Sequence, residues 1–335
     1  FAGLGKPMTN AIYLRPQDIR SVAVIGAGSV GASWATLFLA HGIEVIAHDP
    51  APNVVARVRA FIENAWPSLR SLGIASTESA PLEKLRFASS ATEAAAQADL
   101  VQENVLEKLE LKAQVLSEVD AAASPNKIII SSTGGIPPTA LQASCRHPER
   151  FVVVHPFNPS HLMPLVEVVA GKRTAPEVVQ WAMEFSRRIG KQPLQLTAEA
   201  PGHMTNRLQA ALLREAVYCL VEGIASARDI DAALRYGLAP RWTLMGSLLT
   251  LHLAGGPGGM AGILDHAGAA MEEWWTPLGQ PKLTPEVKAK VVAAADEVAH
   301  GRPISEWVRW RDENLVRVLK TQQQGERSAP RAAVD

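Results

Sequence analysis

The segment SVAVIGAGSVG, Ser21 to Gly31, leaves this chain few folds to choose from. Ser21 to Ile25 is a short apolar run of strand length, and from Ser29 to His41 the apolar residues take helical spacing. Between them stands Gly26-Ala27-Gly28-Ser29-Val30-Gly31, three glycines each answering a steric demand. Gly26 permits a tight turn, Gly28 lets another group approach the backbone, and Gly31 lets the helix lie close on the strand. Amides at the start of that helix, with the positive end of its dipole, suit a pyrophosphate. A second strand from Glu44 ends at His48-Asp49-Pro50. Asp49 is placed to accept hydrogen bonds from a ribose and to repel a 2′-phosphate, and no Arg follows it directly. Strand, glycine turn, helix and acidic residue together predict a dinucleotide platform that favours NAD over NADP. Its expected contacts are Gly26, Gly28, Ser29, Val30, Gly31 and Asp49.

The pattern then alternates. Val54 to Leu72 reads as a helix or helical hairpin at the sheet edge, and Leu85 to Ala88 as a strand. Ala91 to Ala98 reads as a helix and Leu100 to Glu103 as a strand. A helical stretch beginning with Glu107 and Lys112 runs to about Ala122. Ile128 to Ser132 is a buried strand whose end carries Ser131, Ser132, Thr133 and Gly134. The fold class expected is α/β, a Rossmann-type doubly wound, mostly parallel sheet, followed by an all-helical C-terminal domain. Ligands bind at the carboxyl ends of strands in such sheets, so the Ser/Thr cluster should face the nicotinamide half of the cofactor.

Near the middle, the apolar run Phe151 to Val154 ends at His155, and twelve positions later Glu167 interrupts the apolar run LVEVV. A carboxylate inside a strand-like segment is costly to bury unless paired, and His155 is the nearest candidate. Such a pairing would fix the imidazole tautomer and leave the other ring nitrogen free to take a proton from a substrate hydroxyl.

After a helix from about Pro176 to Ile189 and a last strand from Pro193 to Leu196, Ala200-Pro201-Gly202 reads as a hinge. Beyond it strand signals nearly vanish. Helices are expected over Met204 to Val221, with Asn206 in the first turn, then Ala227 to Tyr236, Ser247 to Leu253, Pro285 to His300 and Ser305 to Thr321. Gly255 to Gly259 reads as a loop. The expected division is residues 1–20 as an extension, 21–200 as the NAD-binding domain, 201–321 as a helical domain, and 322–335 as a polar, disordered tail. Residues ahead of Met8 are expected to be a remnant foreign to the fold. Five of the eight tryptophans, Trp242, Trp274, Trp275, Trp307 and Trp310, fall in the helical half, as core, interface or a face for a quaternary ammonium.

Composition narrows the partners. With 33 basic and 33 acidic residues, nucleic acid and anionic membrane are disfavoured and a small molecule is the expected ligand. Cys145 and Cys219 lack metal-ligand spacing, so no metal is expected and the thiols suit a cytoplasmic setting. No apolar run is long enough to cross a bilayer.

The strand-GAGSVG-helix unit, the Ser/Thr cluster, HPFNP with PLVEVV, and PGHMTNRL occur in an order that resembles the 3-hydroxyacyl-CoA dehydrogenase superfamily, from Ser21 to about Leu319. Within it, NAWPSLR, RWTLMG, LAGG and Trp275-Thr276 are most similar to the lambda-crystallin, L-gulonate dehydrogenase and L-carnitine dehydrogenase branch, the carnitine dehydrogenases above all. The resemblance implies an NAD-dependent dehydrogenase of small 3-hydroxy acids, usually a homodimer formed through the helical domain, with substrate in the cleft. It implies His155 as catalytic base, Glu167 as its orienting partner, Asn206 as a donor near the substrate, and Glu107 and Lys112 as cofactor contacts. Where the family pattern has a serine able to bond the substrate oxygen, this chain has Gly134; Ser132 and Thr133 are the nearby hydroxyls. L-carnitine is the first substrate expected, met by Arg241 at its carboxylate and by Trp242 or Trp275 at its trimethylammonium. L-gulonate and a 3-hydroxyacyl-CoA follow. The other class implied is a lambda-crystallin-like nucleotide-binding protein with little catalysis.

Overall fold

A computed structural model describes residues 13–328. The expected remnant ahead of Met8 and the tail from residue 329 lie outside the described residues. The chain divides into two compact units between Arg207 and Leu208.

The first unit is built on eight strands: β1 (Ser21–Ile25), β2 (Glu44–His48), β3 (Leu85–Phe87), β4 (Leu100–Glu103), β5 (Ile129–Ser131), β6 (Phe151–Pro156), β7 (Leu165–Val169) and β8 (Gln192–Leu196). They lie in the order β3-β2-β1-β4-β5-β6-β7-β8. Every neighbouring pair is parallel except β6 and β7. From β1 the chain builds outward to β3, then returns to lay β4 on the other side. The carboxyl ends of β1 and β4 therefore flank the switch point where ligands enter a doubly wound sheet.

The central strands are short and mostly apolar, as strands buried on both faces are. Val22, Ala23, Val24 and Ile25 of β1 are all buried, and Ala23, Ile25, Val101, Ile129 and Val153 share one core cluster. Helix α1 (Ser29–Ala40) buries most of its length, including Trp34 and Phe38, whose rings stack 5.5 Å apart. Helix α2 (Val54–Ser71) packs against α1 as one continuous helix with Pro67 inside it, not as a hairpin. Then follow α3 (Ala91–Gln97), α4 (Leu109–Ala122), α5 (Pro138–Gln142) and α6 (Pro176–Arg188).

Among the largest buried groups is Arg150, just before β6. Its guanidinium reaches Asp120 Oδ1 at 2.7 and 3.0 Å. It also donates to the carbonyls of Asp120, Ala123, Ser124 and Lys127. Those carbonyls lie at and beyond the end of α4, where a helix leaves acceptors without partners. Asp120 returns the favour by accepting from the amides of Arg146 and His147 at 2.6 and 3.1 Å. One ion pair thus closes α4 and sets the entry to β6.

The second unit continues α7 (Thr205–Val221) and adds α8 (Ala227–Ala232), α9 (Ala239–Leu244), α10 (Ser247–Ala254), α11 (Gly259–Trp275), α12 (Pro285–Val298) and α13 (Ile304–Ser328). Two of these were not expected. Helix α11 follows the glycine-rich loop directly and contains Gly262 and Gly268, which obscure its period; α9 is short and begins beside Pro240. The helix expected from Ala227 to Tyr236 is α8 followed by a π-helical turn over Ala233–Leu238. Residues 322–328, expected as disordered tail, belong to α13. Polarity does not stop a helix, and Gln, Glu and Arg are good helix formers. No helix among the described residues is long and apolar enough to cross a membrane.

Removing the Arg150 guanidinium leaves Asp120 charged and unpaired in the interior. Arg150→Ala is expected to lower unfolding stability by about 3–5 kcal/mol, read as a shift in the urea midpoint. An effect under ~1 kcal/mol would contradict this account of Arg150.

Candidate active site

The antiparallel pairing of β6 and β7 sets His155 directly opposite Glu167. His155 Nδ1 lies 2.9 Å from Glu167 Oε2, and the carboxylate is fully buried. Its other oxygen, Oε1, accepts from the amides of Met204 and Thr205 at 3.2 and 2.8 Å and from the Thr205 hydroxyl at 3.0 Å. Glu167 therefore also supplies the anion at the N-terminus of α7. Burial would push this carboxyl up, but the hydrogen bonds from His155 and from the Thr205 amide and hydroxyl outweigh it and hold it below its ordinary value. An ionised carboxylate only accepts, so the His155 Nδ1 carries hydrogen and Nε2 is bare in the neutral ring. Phe157 and His203 flank that ring, with centroids 4.7 and 5.4 Å away.

The bare nitrogen points at the turn after β5. A Cβ built on Gly134 would stand 3.0 Å from His155 Nε2 and 3.2 Å from Asn206 Nδ2. The Asn206 amide donates to the Gly134 carbonyl at 2.9 Å, so β5, β6 and the start of α7 converge on one small volume. Glu107 ties the turn from outside, its Oε1 accepting from the Thr133 hydroxyl at 2.5 Å and the amides of Gly134 and Gly135 at 3.0 and 2.9 Å. Burial works against ionisation of Glu107, but these bonds and Lys112 prevail and lower its pKa. His203 holds the same turn from below, with Nε2 3.0 Å from the Thr133 carbonyl, and burial pushes its pKa down.

Other expected site residues sit differently from what their positions in the sequence suggest. The Ser132 hydroxyl accepts from Trp34 and Gln102 at 2.9 Å each and donates to Asn104 at 2.8 Å, so it is absorbed in an internal network. The Thr133 hydroxyl is held by Glu107. Neither is free to replace a missing serine at 134. Lys112 is buried, with its ammonium 2.9 Å from Glu103 and from the Val105 carbonyl and 3.4 Å from Glu107 Oε2. In the second unit Arg241 donates to the Gly237 carbonyl at 3.1 Å, and Trp242 and Trp275 are exposed on α9 and α11. His203 and Phe157 were missed by sequence reasoning. His203 stands inside the PGHM hinge, where nothing in the local pattern ties it to a histidine 48 positions earlier.

At the switch point the glycine turn fits a dinucleotide. Gly26 has φ +83°, and a Cβ there would meet Asn104 backbone at 2.8 Å; one on Gly31 would meet the Gly26 carbonyl oxygen at 1.9 Å. Above Gly28 nothing stands within 4 Å, and no side chain caps the first turn of α1, so its amides are open to a pyrophosphate. Asp49, just past β2, accepts from the amides of Ala27 and Ala51, each at 2.8 Å, which fixes its carboxylate beside the glycine turn. Among the described residues no group of His, Cys, Asp or Glu is arranged to hold a metal ion.

The Glu167 carboxyl, depressed in the folded state, contributes stability that is complete above the ordinary carboxyl value near about pH 4.3 and is lost as pH falls through its folded value. Glu167→Gln is therefore expected to cost roughly 1–3 kcal/mol at neutral pH. In urea titrations that gap should narrow as pH falls below about 4. A gap that stays constant or widens in acid would contradict the charged assignment.

Family models for the 3-hydroxyacyl-CoA dehydrogenase NAD-binding domain and C-terminal domain match residues 21–200 and 202–295. L-carnitine dehydrogenase of Streptomyces coelicolor is 46% identical over 91% of this chain and 95% of its own. L-carnitine dehydrogenase of Pseudomonas aeruginosa is 43% identical over 90% and 94%. Among solved structures, 5-formyl-3-hydroxy-2-methylpyridine 4-carboxylic acid 5-dehydrogenase, an NAD+-dependent dismutase, superposes with a TM-score of 0.79 at 32% identity, covering 91% of this chain and 99% of that one. With both domains matched, and with a glycine turn fitted to the dinucleotide, the chain belongs to the 3-hydroxyacyl-CoA dehydrogenase family of NAD-dependent oxidoreductases.

Proposed function

We propose that this protein oxidises L-carnitine to 3-dehydrocarnitine, reversibly and with NAD. The observation that carries the reading is the buried Glu167 holding His155 so that its bare Nε2 faces Gly134 and Asn206. The names of the relatives, L-carnitine dehydrogenases over nine-tenths of the chain, support the substrate. NAD held on the Gly26–Gly31 turn and by Asp49 supplies the hydride acceptor. His155 Nε2 takes the proton of the C3 hydroxyl as that carbon gives up its hydride. Glu167 stabilises the imidazolium that results, and Asn206 hydrogen-bonds the reacting oxygen. Glu107 and Lys112 serve the cofactor side indirectly, by holding the ends of β4 and β5. In the helical unit, by its own chemistry, Arg241 suits a carboxylate and the exposed indole rings of Trp242 and Trp275 suit a quaternary ammonium.

The same unit is read as the contact of a homodimer. Leu248, Leu253, Trp274 and Trp275 are all more than half exposed, and such apolar surface suits a second copy of the chain. Two free cysteines fit a cytoplasmic setting.

NAD reduction measured in parallel with L-carnitine, L-gulonate and a short 3-hydroxyacyl-CoA tests the reading. The highest kcat/KM is expected for L-carnitine, and preference for either other substrate would overturn the assignment. Tight NADH binding without turnover of any would favour the lambda-crystallin-like alternative. His155→Ala is expected to lower kcat by about 10²–10⁴-fold. An unchanged rate in the folded variant would remove His155 from the mechanism.

A further inference from the structure

The turn after β5 is clasped by the stretch of chain that leads into α7. Three consecutive carbonyls of the turn each meet a donor from that stretch. The Gly135 carbonyl accepts from the Gly202 amide at 3.1 Å, the Gly134 carbonyl accepts from the Asn206 side chain at 2.9 Å, and the Thr133 carbonyl faces His203 Nε2 at 3.0 Å. To make this clasp the backbone enters the left-handed region at two residues running, Gly202 at φ +76° and His203 at φ +50°. Glycine takes that conformation freely, whereas a residue with a side chain does so uncommonly. What the unusual backbone at His203 delivers is a ring set against both the turn and His155, whose centroid is 5.4 Å away.

Of the three donors only His203 can change its charge. A carbonyl only accepts, so Nε2 carries hydrogen and Nδ1 of the neutral ring is bare. That Nδ1 is buried and meets no hydrogen-bond partner among the described residues. A proton added there would be a charged donor buried without an acceptor, and it would place a second positive ring beside His155. The neighbouring carboxylates do not reverse this. Glu167 on β7 is engaged by His155, Met204 and Thr205, and Glu107 ahead of α4 by Lys112, the Thr133 hydroxyl and the amides of Gly134 and Gly135. Burial, with His155, pushes the His203 pKa down against the pull of the Thr133 carbonyl and of those two carboxylates.

We propose that His203 is a positioning residue of the proton-transfer site: an imidazole that stays uncharged and spends its one N–H on the Thr133 carbonyl. It thereby sets the turn that offers the Gly134 carbonyl to Asn206, and it leaves His155 as the ring of the pair that takes the proton. Two imidazoles this close could share or contest a proton, and the clasp removes the contest by giving each ring a different partner. His155 Nδ1 is committed to a carboxylate, which favours a charged ring, and His203 Nε2 to a carbonyl with nothing at Nδ1, which does not.

The consequence for catalysis rests on the proposed reaction; the charge and tautomer of His203 do not, and the two are tested separately. Ring nitrogen chemical shifts of histidine-labelled wild-type protein, with His203 assigned from His203→Gln, are followed to about pH 6, where an ordinary histidine is mostly protonated. His203 is expected to keep hydrogen on Nε2 and to remain largely neutral there. A charged His203 at that pH, or hydrogen on Nδ1, would overturn the inference. In L-carnitine oxidation, folded His203→Phe, which keeps a ring but no donor, is expected to lose roughly tenfold to a hundredfold in kcat with KM for NAD unchanged, the scale of a small displacement of reacting groups. His203→Gln, whose amide nitrogen can stand near the place of Nε2, should recover much of that loss. Wild-type kcat in folded His203→Phe, or losses as large in His203→Gln, would overturn the positioning role. A wild-type protein that turns over no 3-hydroxy acid would defeat the reaction proposed, and the nitrogen shifts would still decide the state of His203.

Discussion

The carboxylate of Glu167 is the group on which the rest of the site depends. A charge without solvent costs several kcal/mol unless hydrogen bonds replace its water. Here four do, one from His155 and three from Met204 and Thr205 where α7 begins. The same contacts therefore pin the β6–β7 register, start a helix and orient the histidine. Register matters because a slip of one residue would turn Glu167 to the opposite face of the sheet and leave it unpaired. Stability and the orientation of the histidine are bound to the same atoms, so variants at Glu167 are expected to lose both together.

Around that pair the protein relies on glycine in two distinct ways. At the switch point Gly26 and Gly31 exist because neighbouring backbone occupies the space of a side chain. At Gly134 it is side chains that crowd the position, His155 Nε2 at 3.0 Å and Asn206 Nδ2 at 3.2 Å. The difference separates glycines hemmed in by backbone from one hemmed in by the side chains of the candidate site. Buried charges follow a similar division. Arg150 with Asp120 closes α4 far from the chemistry, whereas Lys112 with Glu103 and Glu107 carries strand ends to the turn that holds Gly134.

Much of this was legible before any coordinates. The strand-turn-helix at Ser21 announces itself because steric demands on three glycines are local. The meeting of His155 with Glu167 could be anticipated because two short apolar runs, one ending in a base and one broken by an acid, have few other ways to bury the acid. What could not be read depends on contacts distant in the chain. Glu107, expected only as a cofactor contact, reaches 28 residues ahead to the amide of Gly135. Ser132 looked like a substrate group and is spent on Trp34 and Asn104. His203 carried no signal of lying against His155. In the helical unit α9 is short and α11 carries Gly262 and Gly268, so both went unseen, while α13 ran past its expected end.

The most direct test of the central claim is the tautomer of His155, read from ring nitrogen chemical shifts of selectively labelled enzyme at neutral pH. If Glu167 orients the base, hydrogen resides on Nδ1 and Nε2 is bare, and Glu167→Gln inverts the two as the amide offers Nδ1 a donor. Hydrogen on Nε2 in the wild-type enzyme, or a tautomer indifferent to Glu167→Gln, would contradict the account.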